Sequence, residues 1–326
     1  MKANTKTFVY IFAVVLMLTF LIGYNSQPCN YYEYDANYIT QDYFSTLYIP
    51  VAILCILAYV LPVKWFSFFK KRINLDCAYS LPISRKAMGA VHYLTGLGTL
   101  WGAFTLSYLV NFLLLLSRGT NWFHFGPMLP HYFLCLILGF AMYSVMVFVF
   151  NEANTRDDGI LFMVLYTFVF AFILIAIAEL TEWQALDEGY GSLPWGVIDT
   201  LTVYYQALVE IDTEDLQPFW SNPMLIFWFM FWVVLGIGAA VGFFCSFGKR
   251  RMEKTEDISD SFFGFRTLIP IFAITGMFLA RSLNSIIFVV LIEFFAIIGY
   301  TIYRRGFHYK KSDIIWLVLF CIFAFL

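Results

Sequence analysis

Charged side chains are scarce in this sequence. Asp, Glu, Lys and Arg make up 13% of the 326 residues, whereas hydrophobic residues make up 61%. Soluble domains carry about 25% charged residues and about 45–50% apolar ones. The few charges here lie in short segments between long apolar runs. This pattern excludes a water-soluble globular protein and predicts a chain that lies in a lipid bilayer.

Cysteine is also sparse, and its spacing matches no metal or redox motif. The six cysteines contain no CxxC pair; they are Cys29, Cys55, Cys77, Cys135, Cys245 and Cys321. All but Cys29 and Cys77 fall in or beside apolar runs. Such spacing argues against a disulfide framework and against a zinc site. We interpret the cysteines as small buried hydrophobic residues.

The sequence motifs of enzymes are absent as well. The chain has no HExxH, GxSxG or GxGxxG sequence and no paired-glutamate pattern of an intramembrane protease. It also lacks the GxxxxGKS/T motif, so we do not expect it to hydrolyse ATP through a P-loop of its own. We predict no metal and no cofactor in this chain, and no nucleic-acid partner.

Long apolar runs are abundant, and seven of them approach the ~20 residues that cross ~30 Å of hydrocarbon. They cover residues 8–23, 47–66, 91–116, 132–150, 160–178, 224–244 and 286–303. Residues 262–280 form a weaker run, because Arg266 and Pro270 interrupt it, and residues 314–326 are too few to cross. We therefore predict an all-α polytopic transmembrane bundle with a six-helix core, a C-terminal helical hairpin and a partial last span.

The first run can be interpreted in two ways. Lys2 and Lys6 precede it, as basic residues precede the apolar core of a signal peptide. No small-x-small cleavage site follows, because the chain continues with Tyr24, Asn25 and Ser26. We favour a retained first helix over a cleaved signal peptide.

The two signs of charge are separated along the chain, and this separation predicts the orientation. If the N-terminus lies inside, eighteen of the twenty Lys and Arg residues face the cytoplasm, and only Arg118 and Arg281 lie outside. Residues 179–215 hold nine acids and no base. The positive-inside rule therefore predicts a cytoplasmic N-terminus.

The outer segment, residues 181–223, contains a second pattern. Apolar side chains recur there at helical spacing; they are Val197, Ile198, Leu201, Tyr204, Tyr205, Leu208 and Ile211. The other faces carry Asp199, Thr200, Thr202 and Gln206. We predict an amphipathic helix at the outer membrane interface.

Ionisable groups within the apolar runs are few, and such groups are costly in lipid. Glu293 is the clearest ionisable residue within an apolar run, and Asn111 is an uncharged polar residue within another. We predict these two residues as a possible intramembrane polar site. Glu293 is either a proton or cation site or a carboxylic acid that hydrogen-bonds a neighbouring helix. The basic cluster after residue 248, formed by Lys249, Arg250, Arg251 and Lys254, is either a contact for anionic membrane lipids or a stop-transfer anchor.

The segment 64–86 between the second and third runs carries six of the twenty bases. They are Lys64, Lys70, Lys71, Arg72, Arg85 and Lys86. Pro82 favours an extended Leu81, and Ser84 is positioned to cap a helix that starts at Arg85. We predict a short amphipathic helix, a rigid turn and a second helix that enters the membrane. The basic run 70–72 itself is interpreted as a topology anchor.

This segment resembles the coupling region of type 2 ABC permeases, the membrane subunits of many bacterial exporters. The likeness lies in an acid followed by SLPISR, here Asp76 and then Ser80, Leu81, Pro82, Ile83, Ser84 and Arg85. The first 250 residues fit the layout of that family, with a coupling loop (64–90) after the second span and interfacial helices (181–223) before the sixth. The chain departs from it in its short N-terminus and in its extra helices over 251–326.

The resemblance implies a function that the residues alone do not. It implies an ATP-binding subunit, carrying ATP and Mg, that docks on residues 76–85, and a second permease, identical or homologous. It also implies a bacterial plasma membrane and export of a peptide, antibiotic or lipid-like cargo. Two alternatives remain open, an intramembrane enzyme that uses Glu293 and a non-transporting sensor or accessory subunit that uses the outer segment.

Overall fold

The protein is an all-α polytopic helical bundle, as the sequence predicts. The computed structural model describes residues 2–25, 47–80, 82–117, 126–181, 194–210, 223–249, 255–257, 259, 261–282 and 286–325. These residues contain no strand. Their α-helices are α1 Lys2–Asn25, α2 Tyr48–Phe66, α3 Arg72–Tyr79, α4 Arg85–Ser117, α5 Met128–Glu152, α6 Arg156–Thr181, α7 Pro194–Glu210, α8 Pro223–Phe247, α9 Phe265–Ser282, α10 Ile286–Arg304 and α11 Lys311–Phe325.

Six helices in the described part of the chain are long and apolar enough to cross a membrane. The segments are Lys6–Gly23, Tyr48–Lys70, Arg85–Leu114, Met128–Glu152, Leu225–Phe247 and Ile286–Arg304. Each coincides with a predicted run. The predicted run 160–178 is also helical, within α6. The weaker run 262–280 forms α9, whose apolar part, Phe265–Phe278, is shorter than a full span.

Helix α5 forms the centre of the bundle. It packs against α2, α4, α6, α7 and α8, and 72% of its span is buried, against 17% for the spans of α1 and α10. Helix α1 lies on α4, where the hydroxyls of Thr19 and Ser107 are 2.8 Å apart. Helices α1 and α10 are therefore peripheral, and several buried polar groups lie on α4 and α5, among them Ser107, Asn111, His131 and Ser144.

Glycine allows α5 and α8 to approach closely. A Cβ atom on Gly236 of α8 would lie 2.4 Å from the Cα of Ala141 in α5. A Cβ on Gly96 of α4 would lie 2.0 Å from the hydroxyl oxygen of Tyr143. Because apolar burial does not drive helices together in lipid, close backbone contact of this kind is a main source of their association.

The C-terminal helices pack onto the core through α9. Helix α9 lies against α6, and α10 and α11 both contact α9. Arg304 at the end of α10 donates two hydrogen bonds to Asp313 of α11, Nε to Oδ2 at 2.7 Å and Nη2 to Oδ1 at 2.8 Å. These bonds hold the pKa of the largely buried Asp313 carboxyl below its ordinary value. The backbone amide of Lys310 also donates to Asp313, as in a capping box.

Candidate functional site

Most of the described basic residues lie at one end of the bundle. Here α2, α5, α8 and α10 end, while α4, α6, α9 and α11 begin. We call this the basic end. It includes the segment that the sequence singles out, which runs from a 3-10 turn at Ser67–Lys70 through α3 to the start of α4. Of the predicted basic cluster, Arg250, Arg251 and Lys254 lie outside the described residues.

Helix α3 is short and amphipathic, which confirms the prediction for this segment. Leu75 is buried, with 2% of its surface exposed, and it anchors the inner face of the helix. Asp76 is exposed, and Ile73 has 81% of its surface exposed. Helix α3 therefore buries Leu75 against the bundle and leaves the apolar side chain of Ile73 open at the surface.

The turn after α3 is also exposed. Pro82, Ile83, Ser84 and Arg85 all lie at the surface, whereas Leu81 lies outside the described residues. The backbone amide of Ala87 donates to Oγ of Ser84 at 3.2 Å, so the predicted N-cap is confirmed. Because α4 starts at this cap, the turn is connected directly to a 33-residue helix.

We call the exposed residues described within 73–85 the candidate coupling surface. Its members are Ile73, Asp76, Ser80, Pro82, Ile83, Ser84 and Arg85. Two large apolar side chains, Ile73 and Ile83, stand among charged and polar groups. Such a mixture suits a partner that buries the apolar groups and pairs with the charges at their rim.

Lys70 fixes the start of this segment to the centre of the bundle. Its side chain is 3% exposed, and Nζ donates to the carbonyl oxygens of Phe150 at 2.7 Å, Asn151 at 3.2 Å and Ala153 at 2.5 Å. The ammonium group thereby satisfies carbonyls at the C-terminal end of α5, where the helix dipole is negative. Asn151 in turn donates to Oγ of Ser246 in α8 at 2.9 Å.

Arg72 connects the same segment to the stretch before α9. Its Nε donates to the carbonyl of Thr255 at 2.8 Å, and its Nη2 donates to Oδ1 of Asp257 at 3.3 Å. Its backbone amide donates to Oε1 of Glu256 at 3.2 Å. These side chains are more than half exposed, so each ion pair contributes only about 0–1 kcal/mol.

The stretch before α9 also contacts the end of α5. Ser259 donates to the carbonyl of Glu152 at 2.8 Å, and Ser261 donates to its Oε2 at 2.5 Å. Arg305, just after α10, donates to the carbonyl of Glu256 at 3.1 Å. The segment after α2, the end of α5, the stretch before α9 and the end of α10 are thus joined in one network.

The possible intramembrane polar site is not assembled by one pair of packed helices. Asn111 is 1% exposed in α4, and neither polar atom of its amide has a hydrogen-bond partner among the residues that the structure describes. Glu293 is half-buried in α10. Helix α4 packs on α1, α2, α5 and α8, whereas α10 packs on α9 and α11. The two residues therefore have different surroundings.

Sequence reasoning missed a buried polar cluster at the opposite end of the bundle. His131 of α5 is fully buried, with Nδ1 3.1 Å from the hydroxyl of Tyr108 and Nε2 3.3 Å from that of Thr202. Sγ of Cys135 lies 3.4 Å from Nε2. Thr202 was predicted to face away from the buried side of α7, and this is wrong, because it is fully buried against His131. The four-residue spacing of His131 and Cys135 was the only signal in the sequence.

The predicted apolar face of α7 is otherwise confirmed where its side chains are described, except that Tyr204 is only half-buried. Val197, Ile198 and Leu201 are fully buried, and Asp199 is exposed. Ile211 lies outside the described residues. Within the described residues, no three His, Cys, Asp or Glu side chains are grouped so that they could hold a metal ion.

Comparison with known proteins finds no matching family model, no matching curated protein and no matching solved structure.

Proposed function

We propose that this chain is the permease subunit of an ATP-driven transporter of the type 2 ABC class. A separate ATP-binding subunit docks on the candidate coupling surface. The observation that carries this proposal is the exposed, partly apolar surface of α3 and the turn after it, placed between two membrane-spanning helices. ATP and Mg belong to the partner subunit, and this chain contributes the membrane path.

The contacts behind the surface support a mechanical role. Helix α3 follows α2 through the 3-10 turn, and α4 follows the turn that Ser84 caps. A push on α3 by the ATP-binding subunit therefore acts on α2 and α4 together. The same displacement reaches the end of α5, because Lys70 moves with the segment and is hydrogen-bonded to three carbonyl groups there. Nucleotide-driven closure in the partner would thus tilt several spans at once.

Cargo and assembly follow from the resemblance. A second permease, identical or homologous, completes the pathway, and the cargo is a peptide, antibiotic or lipid-like molecule that is exported. The positive-inside rule supports a cytoplasmic position for the basic end, because this orientation puts eighteen of the twenty bases inside. A bacterial membrane follows from the resemblance.

Purification from the native membrane in mild detergent tests the proposal. An ATP-binding subunit is expected in the eluate of the wild-type protein. Asp76→Arg and Arg85→Glu are expected to weaken its retention by about tenfold, which corresponds to ~1.4 kcal/mol, and to uncouple ATP hydrolysis from transport.

Lys311→Glu is the matched control, since it reverses an exposed charge at the same end of the bundle but outside the candidate coupling surface. It should leave retention and transport unchanged. Coupled transport at the wild-type rate in both surface variants, with each inserted normally, would disprove the assignment.

A further inference from the structure

An open groove lies at the basic end between the first turns of α4 and the last turns of α8. Its volume is about 580 Å³, within the range of small-molecule sites. Helix α4 contributes Lys86, Ala87 and Ala90, and α8 and the residues after it contribute Phe244, Cys245 and Lys249. The groove therefore has a cationic group on each side and an apolar wall between them.

The two lysines differ from the buried or paired bases of the basic end. Lys70 donates to carbonyls, and Arg72 pairs with acids. Lys86 and Lys249 have no carboxylate partner among the described residues. The side-chain stem of Lys86 lies against Gly248, where a Cβ atom would be 3.0 Å from its Cγ. Two ammonium groups without a carboxylate partner beside one groove favour an anionic ligand.

An exposed apolar stripe continues from the groove along α4 and α8, away from the basic end. On α4 the positions Lys86, Ala90 and Leu94 are spaced by four residues, and Leu94 is 61% exposed. On α8 the positions Cys245 and Val241 are spaced in the same way, and Val241 is 57% exposed. Residues four apart share one face of a helix. Both helices are spans, so the stripe lies where acyl chains would run.

We propose that this groove binds an anionic phospholipid of the leaflet at the basic end. The headgroup phosphate contacts Lys86 and Lys249, and an acyl chain lies along the stripe. A soluble phosphate would use the lysines but not the stripe, and the exposed apolar residues therefore favour the lipid. The proposal needs only that the chain spans a bilayer, and it does not depend on the transport function. A bound lipid would join α4 to α8 one residue away from Arg85 of the candidate coupling surface.

Native mass spectrometry of the detergent-solubilised protein measures the binding directly. Titration with phosphatidylglycerol is compared with phosphatidylcholine that carries the same acyl chains. The double variant Lys86→Gln/Lys249→Gln is expected to bind phosphatidylglycerol about thirtyfold more weakly, because each lysine near an anionic lipid contributes about a fivefold gain. Lys310→Gln/Lys311→Gln removes the same charge at the same end outside the groove and should bind like the wild type.

A second readout reports on the groove itself. The interpretation of the cysteines as buried is wrong for Cys245, which is an exposed free thiol. Its alkylation rate is followed by peptide mass spectrometry. Phosphatidylglycerol is expected to slow this alkylation in the wild type and not in the double lysine variant. Ala90→Phe fills part of the groove with a larger side chain and keeps both lysines. This variant should weaken the protection of Cys245 by phosphatidylglycerol.

Three results would overturn the proposal. The first is equal affinity for the two lipids in the wild type. The second is an equal loss of binding in the groove variant and the Lys310/Lys311 control. The third is protection of Cys245 by inorganic phosphate as strong as that by phosphatidylglycerol, which would identify an anion site without a lipid.

Discussion

Lys70 shows how much a single side chain depends on its surroundings. In the sequence it is one of three consecutive bases, and the run is interpreted as a topology anchor. In the structure Lys70 is buried, whereas Lys71 and Arg72 are exposed. The difference arises because the carbonyl groups that receive Lys70 belong to the end of α5, eighty residues away. No local pattern in the sequence distinguishes these three residues.

Lys70→Met is expected to destabilise the protein by about 2–3 kcal/mol, since it leaves helix-end carbonyls without their charged donor. The measurement is the midpoint of thermal unfolding in detergent. Lys71→Met is the matched control, because it removes an exposed base from the neighbouring position and should change stability by less than about 0.5 kcal/mol. A similar loss of stability in both variants would show that the three hydrogen bonds from Lys70 to carbonyl groups do not stabilise the fold.

Helices and their contacts form the next scale. Long apolar runs predicted the position of the spanning helices well, because a helix that crosses lipid must be apolar along its length and satisfies its own backbone hydrogen bonds. The pairing of α5 with α8 was not predicted. Gly236 and Gly238 lie two residues apart in α8, and the sequence does not distinguish them. Gly236 faces the backbone of Ala141, whereas nothing lies within 4 Å of a Cβ built on Gly238.

Gly236→Ala is expected to cost about 1–3 kcal/mol, because the new methyl group meets the backbone of Ala141 and the helices must separate. Gly238→Ala should be neutral or stabilising by up to about 1 kcal/mol, as alanine favours a helix where space is open. Thermal unfolding of the two variants side by side makes the comparison. If Gly238→Ala were the more harmful of the two, the close contact of α5 with α8 would be wrong.

At the scale of the whole molecule, α7 lies at the end of the bundle opposite the basic end, because Thr202 contacts His131 at the start of α5. The proposed orientation places this end of the bundle outside the cell. Cys245 is exposed at the basic end, and Asp199 is exposed on α7. In intact cells a membrane-impermeant maleimide should label Asp199→Cys and leave Cys245 unlabelled until the cells are opened. Peptide mass spectrometry assigns the label to each position. Labelling of Cys245 in intact cells would reverse the proposed orientation.

Composition and patterning by themselves determined that this chain is an all-α membrane protein. They also placed its spans, a cap at Ser84 and a short helix before it. These features are local, since each depends on the apolar content of one segment or on a few neighbouring residues. The coupling role is implied by the resemblance and is a proposal, which the variants Asp76→Arg and Arg85→Glu test.

Only the tertiary structure decided which polar groups are buried and which surfaces are open. Lys70 on α5, His131 against Thr202, and the groove between Lys86 and Lys249 each join segments that are far apart in the chain. Burial of a polar side chain depends on the partner that satisfies it, and that partner is chosen by the packing of helices. The same packing leaves Ile73 and Ile83 exposed at the basic end.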